Sequence, residues 1–374
     1  MQGSGLILLA GGGTGGHLYP GVAVAQSLRA LNPGVQILFL CTEREIDRVI
    51  LEPTGFEFQA QPIVRLARSI SGLIRFWEKL RQTNDMAGKV LDQRRPDAVI
   101  GLGGYAAGVA VKLAARRGIP TAILNPDVIP GKANRYLMRY AKTVFCQFDA
   151  TAQHVSADRR AKLLVTGCPI RPDIRQLPPR EEAAARLMIE PNLQTLVITG
   201  ASQGAQTVNE AVLELLKSMT LSGWQVLHMA GRDHAESVRG GYRELGMAAR
   251  VIDFTADMAD IWSVADLVIS RSGASSCAEL TACGIASILL PYPFHRDMHQ
   301  RANAKVLADA GAAVLMDDQR DRKKNAAALK PIVESLLHDL PKRQAMASAA
   351  KKLGRADAAD AVAAKITEIV AAGR

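Results

Sequence analysis

Apolar residues in this chain fall into short unbroken blocks. After each block, apolar positions recur at helical spacing. In the first half the blocks are Leu6–Ala10, Gln36–Leu40, Ala98–Gly101, Thr121–Leu124, Thr143–Cys146 and Leu163–Thr166. The second half has a block opening at Thr195, then Gln225–Met229, Arg250–Asp253, Leu267–Ser270, Ala286–Leu290 and Ala313–Met316. Continuous apolar runs of this length predict strands buried on both faces, and their alternation with helices predicts parallel sheets. Between the two series, residues 167–180 hold four prolines in fourteen positions, which breaks regular structure. At 374 residues the chain is too long for one ordinary core. The division that follows is 1–166, a linker at 167–180, 181–355, and a C-terminal amphipathic helix within 356–374. That helix either closes the second domain or returns to the first.

Both halves open with the same device. Leu6 to Pro20 runs from an apolar strand through Gly11-Gly-Gly-Thr-Gly-Gly-His17 into a helix. Thr195 to Ala205 repeats the order with Gly200-Ala-Ser-Gln-Gly-Ala205, followed by a helix over Gln206–Leu216. Glycines let backbone approach a ligand, and the free N–H groups at a helix start attract anions. The fold class expected is α/β, with two Rossmann-like domains facing a cleft. His17 adds a group that moves protons near neutral pH.

Two later stretches carry polar groups on helix openings. In Asp266 to Glu279 a strand ends at Ser270, and the N–H groups of Gly273 to Ser276 can hold a diphosphate. Glu279, about a turn inside, can accept from a ribose diol or remain a solvated acid. In Pro291 to Asn303, prolines set a loop. Gln300 and Asn303 then fall three apart on one helix face, and amides suit sugar hydroxyls. No D-x-D pair for a metal-bound nucleotide diphosphate occurs.

Charge changes the picture for one half only. Residues 1–170 hold 21 Lys and Arg against 12 Asp and Glu, whereas the remainder is nearly balanced at 25 against 24. The first half is expected to face an anion. Between Arg65 and Arg81, Leu73, Ile74, Phe76, Trp77 and Leu80 lie among Arg65, Arg68, Arg75, Lys79 and Arg81. Such a stretch either docks on an anionic membrane or is a core-facing helix with a basic outer side. Nucleic acid is not expected, because no stacking aromatic set or reader motif is present. Five scattered cysteines without CxxC spacing predict reduced thiols in the cytoplasm. The N-terminal apolar run has no basic leader and reads as a first strand rather than a signal peptide.

Five motifs in order, Gly12-Gly-Thr-Gly-Gly-His-Leu-Tyr-Pro-Gly21, Gly101-Leu-Gly-Gly-Tyr105, Thr166-Gly-Cys-Pro-Ile-Arg171, Gly200–Ala205 and Ser270-Arg-Ser-Gly-Ala274, resemble glycosyltransferases of the MurG family. The resemblance runs from the first strand to about residue 318. It implies a B-type glycosyltransferase fold and inverting, metal-independent transfer of N-acetylglucosamine from UDP-N-acetylglucosamine to lipid I, forming lipid II. It further implies a peripheral place on the cytoplasmic membrane face, no cofactor, and leaves open a cell-wall synthesis complex. By motif match, donor contacts fall on Thr14, Gly15, Gly16, Asp127, Arg171, Ser202, Thr255, the run Ala274, Ser275, Ser276, Cys277, Ala278 and Glu279, and Gln300 with Asn303. The first glycine loop also faces the acceptor diphosphate, with acceptor contacts at Gly103, Gly104, Tyr105 and Asn134. His17 is the catalytic candidate, either as general base for the sugar 4-hydroxyl or as a positioning group. Asp127 stands where the family has a sugar-contacting Asn, Asn125 where it has Glu, and Cys168 where it often has Asn.

Overall fold

The computed structural model describes residues 5–64, 66, 69–200 and 204–373. The chain forms two compact units, Met1–Arg171 with Ala356–Arg374, and Pro172–Arg355.

The first unit is built on seven parallel strands in the order β3-β2-β1-β4-β5-β6-β7. They are β1 (Leu6–Gly11), β2 (Gln36–Thr42), β3 (Glu57–Gln61), β4 (Ala98–Gly103), β5 (Thr121–Asn125), β6 (Thr143–Cys146) and β7 (Leu163–Val165). Its helices are α1 (Gly15–Leu31), α2 (Glu45–Leu51), α3 (Ile70–Arg94), α4 (Gly108–Arg116), α5 (Lys132–Leu137) and α6 (Ala157–Arg160). All six residues of β1 are buried, as a central parallel strand requires. The expected strands are present, and β3 is an addition. Its sequence Glu-Phe-Gln-Ala-Gln is mostly solvent-facing because it lies at the sheet edge, so it shows no apolar block.

The order reverses between β1 and β4, the topological switch point where α/β sheets bind ligands. The glycine turn after β1 and the Gly103–Tyr105 turn after β4 therefore emerge side by side. Gly21 of α1 sits so close to Leu102 of β4 that a Cβ would collide with its side chain, which seats the helix tightly on the sheet.

The second unit has six parallel strands in the order β10-β9-β8-β11-β12-β13. These are β8 (Gln194–Thr199), β9 (Trp224–Met229), β10 (Arg250–Ile252), β11 (Leu267–Ser270), β12 (Ser287–Leu289) and β13 (Val314–Leu315). The helices are α7 (Pro172–Arg175), α8 (Arg180–Leu187), α9 (Gln206–Leu216), α10 (Ala235–Glu244), α11 (Met258–Val264), α12 (Ala274–Cys283), α13 (His299–Asp309), α14 (Arg322–His338) and α15 (Leu340–Leu353). Here the switch point lies between β8 and β11, so Gly200 after β8 and the Arg271–Gly273 loop after β11 leave neighbouring strands.

The last helix, α16 (Ala358–Ala371), belongs to the first unit. Val362, Ala363, Ile366 and Val370 enter the same core as Leu18, Val22, Ala25 and Leu28 of α1. Each larger side chain contributes roughly 1.5–3 kcal/mol by leaving water. Ser27 Oγ donates to Asp360 at 2.8 Å and fixes the register of the two helices. Cys41, Cys146, Cys168 and Cys277 are buried and Cys283 is half-buried, all as thiols outside any disulfide. No helix among the described residues is long and apolar enough to cross a membrane.

Candidate active site

In the first unit the glycine turn is held from below. Gly13 adopts φ +86°, open to glycine without strain. Its N–H donates to Asp47 Oδ1 at 2.7 Å, and Arg44 Nη1 donates to its carbonyl at 2.5 Å. Thr14 is the N-cap of α1, and its Oγ1 lies 3.1 Å from His17 Nδ1 rather than on a backbone N–H. Gly15 opens the helix and is buried, while Gly16 is exposed. Pro20 cannot donate to the Gly16 carbonyl, which loosens the first turn.

The His17 ring, from the first turn of α1, lies over the Gly103–Gly104 turn after β4. Gly103 (φ +107°) and Gly104 (φ +71°) are both left-handed, and a Cβ on Gly103 would stand 2.9 Å from His17 Cδ2. On Gly104 it would stand 3.1 Å from Cε1. The two glycines thus provide the flat bed for the imidazole. Tyr105 begins a short 3-10 turn, and its hydroxyl reaches the side of Gly13. Burial pushes the His17 pKa below its usual 6.5, opposed by the negative charge of Asp127, a bond to the Gly12 carbonyl and Asp47. At neutral pH the ring is therefore neutral and able to accept a proton.

The other first-unit candidates divide. Asp127 follows β5 and acts electrostatically on His17, which joins it to this site. Asn134 is buried and donates to the Leu124 carbonyl at 2.9 Å and to Asn125 Oδ1 at 3.1 Å. Both bonds face inward and fix the end of β5, so Asn134 shapes the loop rather than presenting its amide. Asn125 in turn donates to the Asp127 carbonyl at 2.8 Å. The Arg171 guanidinium stacks 4.8 Å over the Tyr19 ring beside the start of α1.

In the second unit, α12 splits the run Ala274–Glu279 by face. Ala274, Cys277 and Ala278 are buried at i, i+3 and i+4, and this inward stripe removes their side chains from ligand reach. Ser275, Ser276 and Glu279 look outward. Glu279 Oε2 accepts from the indole N–H of Trp262 at 2.8 Å, so the carboxylate is pre-oriented. Thr255 Oγ1 accepts from the Asp257 N–H at 2.9 Å and shapes the turn before α11. Gln300 is half-buried at the lip of α13, with Oε1 accepting from the Tyr292 N–H at 2.9 Å. Asn303, one turn deeper, is fully buried and donates to the Ser272 carbonyl at 3.2 Å. It braces the loop from behind and does not line its surface. Ser202 lies outside the described residues.

A buried ion pair ties these loops together. Arg271 Nη1 donates to Asp318 at 2.8 Å and to the carbonyls of Leu290 and Pro291, while Nη2 donates to Thr207 on α9. Burial raises the Asp318 carboxyl, but bonds from Thr207, Asn325, the Arg320 N–H and Arg271 outweigh it and hold it below the usual range. Sequence reasoning missed Asp47, Trp262 and this Arg271–Asp318 centre. Each acts on residues many positions away, and no local pattern singles it out. For metal, His295, Asp297 and His299 offer ligand atoms within 4.8 Å of one another, just before Gln300.

The chain is similar to known glycosyltransferases along nearly its whole length. The glycosyltransferase family 28 N-terminal domain matches residues 7–146, and the family's C-terminal domain matches residues 195–362. A Desulforamulus reducens protein named UDP-N-acetylglucosamine–N-acetylmuramyl-(pentapeptide) pyrophosphoryl-undecaprenol N-acetylglucosamine transferase is 35% identical over 94% of this chain and 95% of its own. One of the same name from Thermodesulfovibrio yellowstonii is 37% identical over 92% and 93%. The crystal structure of Acinetobacter baumannii MurG superposes with TM-score 0.75 at 26% identity, covering 97% of this chain and 99% of that one. A UDP-GlcNAc 2-epimerase from Neisseria meningitidis shares the fold at TM-score 0.68 but only 15% identity, over 97% and 100%. With this full-length likeness to the transferases, the chain belongs to the MurG family of glycosyltransferase family 28.

Proposed function

We infer that this protein transfers N-acetylglucosamine from UDP-N-acetylglucosamine to the 4-hydroxyl of the N-acetylmuramyl group of lipid I, forming lipid II with inversion. The observation that carries the reading is identity above 30% along nearly the whole of both chains with transferases of that name. The first unit supplies the base. A neutral His17 takes the proton of the 4-hydroxyl as the oxygen attacks the anomeric carbon, and UDP leaves from the opposite face in one step. The second unit takes the donor. The N–H groups opening α12 face the diphosphate, Glu279 accepts from the ribose, and Gln300 from the sugar hydroxyls. Arg171 adds positive charge for the phosphates. Gly103, Gly104 and Tyr105 line the acceptor side.

The acceptor is lipid-linked, and the first two turns of α3 suit a membrane. Ile70, Ile74 and Trp77 are 80%, 66% and 65% exposed, and with Leu73 they fall at i, i+3, i+4 and i+7 on one face. Phe76 packs edge-on against Trp77, and the exposed Arg75 and Arg81 with the half-buried Lys79 border the stripe. The buried residues of α3 all lie in its second half, Thr83, Ala87, Val90 and Leu91. An apolar face with a cationic rim binds anionic bilayers peripherally. Arg65 and Arg68 lie outside the described residues.

The test is a transfer assay with UDP-N-acetylglucosamine and a lipid I analogue. The expected product is the disaccharide lipid with one UDP released per transfer. UDP release or epimer formation without acceptor, and no disaccharide, would overturn the reading.

A further inference from the structure

The Asp47 carboxylate is fully buried in the first turn of α2. Oδ1 accepts from the Gly13 N–H at 2.7 Å. Oδ2 accepts from the Thr42 N–H at 2.7 Å, from Thr42 Oγ1 at 2.8 Å and from the Gly13 N–H at 2.9 Å. A Cβ on Gly12 would collide with this carboxylate, so Gly12 is required where Asp47 stands. Arg44, in the same turn, grips the Gly13 carbonyl. One residue of the glycine turn is thus held at its N–H by Asp47 of the first turn of α2 and at its C=O by Arg44 just before that helix.

This arrangement alters what the glycine loop can bind. A bare loop of this kind offers its N–H groups to a ligand anion. Here an anion of the protein itself already occupies the turn, and the Gly13 N–H is engaged. A buried charge is tolerated only where it is well hydrogen-bonded, and this one has three different donors.

We propose that Asp47 is the positioning residue of the acceptor side, its carboxylate standing inside the glycine turn in place of a ligand anion and fixing His17 through Thr14. The relay is short. Asp47 sets Gly13, Gly13 sets Thr14, and Thr14 Oγ1 lies 3.1 Å from His17 Nδ1. The acceptor diphosphate is left to the N–H groups that open α1. The inference rests on His17 being the group that receives the acceptor proton.

Asp47→Asn keeps the shape but turns one oxygen into an NH2 group among N–H donors. The expected result is a fall in kcat of about 10²-fold, the scale for a catalytic group misplaced by an ångström. The Kd for UDP-N-acetylglucosamine should not change. In parallel, histidine ring NMR, with His17 assigned by His17→Gln, should show the His17 signal shifted or broadened in Asp47→Asn. A kcat within about threefold of wild type, or an unmoved His17 signal, overturns the proposal. If the Asn variant loses its fold by circular dichroism, Thr42→Val carries the same two readouts, since it removes one donor to Asp47 and leaves the charge. An unmoved His17 signal there also overturns it. Should the wild-type protein transfer no sugar, the function reading fails, while the NMR comparison still decides the role of Asp47.

Discussion

His228 on β9 makes the second unit sensitive to acid. Its ring is fully buried between Tyr242 and Asn209. Asn209 donates through Nδ2 to the Ala230 carbonyl at 2.9 Å, which turns its Oδ1 toward His228 Nε2 at 3.1 Å. Nε2 therefore carries the proton, and Nδ1 accepts from the Tyr242 hydroxyl at 2.9 Å. Burial depresses the ring's pKa from 6.5 to about 3. Between those values the unfolded chain binds a proton that the folded one does not, so stability is complete above 6.5 and declines as pH falls. At pH 4.5 the loss is about two pH units at 1.36 kcal/mol each, or about 2.7 kcal/mol. The perturbation is His228→Gln, which keeps an amide donor and acceptor but does not titrate. Urea unfolding at pH 7 and pH 4.5, followed by tryptophan fluorescence, gives the pH-dependent loss for each protein. Other groups cancel in the difference, so wild type should lose about 2.7 kcal/mol more than the variant. Equal losses in the two proteins would refute the buried-neutral assignment.

Three further outcomes follow from the site. Trp262→Phe removes the donor that orients Glu279 and should weaken UDP binding about tenfold, the lower end for a bond to a charged group at a half-exposed position; calorimetry showing an unchanged Kd would end that assignment. The acid limb of kcat/KM should fall below pH 6.5, because burial lowers the His17 pKa and the base is lost only on protonation, and Asp127→Asn should move that limb lower still. A limb above pH 7, or one that rises in the variant, contradicts this. Ile74→Glu with Trp77→Glu should abolish sedimentation with anionic vesicles while turnover of a soluble acceptor persists; unchanged sedimentation would remove α3 as the docking face.

The sequence made the frame legible where physics is local. Buried parallel strands show as apolar blocks, so β1, β4, β8 and β11 and the turns after them could be read directly. Strand β3 could not, because an edge strand exposes side chains that look like loop. Site residues were legible by type and less so by direction. The three-residue spacing of Gln300 and Asn303 put them on one face of α13. Yet the helix starts at His299, which leaves Gln300 at the lip and carries Asn303 inward to Ser272. Likewise α12 divides the run from Ala274 to Glu279 into an inward stripe and an outward one, a division that periodicity contains but a motif does not.

What sequence hides is the support beneath each switch point, and there the two units differ in kind. In both a glycine motif follows the central strand, and by motif alone both are anion cradles. In the first unit the cradle is filled by the protein's own carboxylate, Asp47, which removes one anion-binding N–H and leaves a fixed turn beside His17. In the second the buried centre is a cation, Arg271, neutralised by Asp318 and anchored to Thr207, Leu290 and Pro291. A loop braced by a buried anion holds Thr14 beside the neutral ring of His17. In the loops after β11 and β12 the buried charge is paired within the protein, so it fixes the loops without itself facing a ligand. The same topology is thus braced in opposite ways in the two units, by a buried carboxylate in the first and by a buried, paired guanidinium in the second.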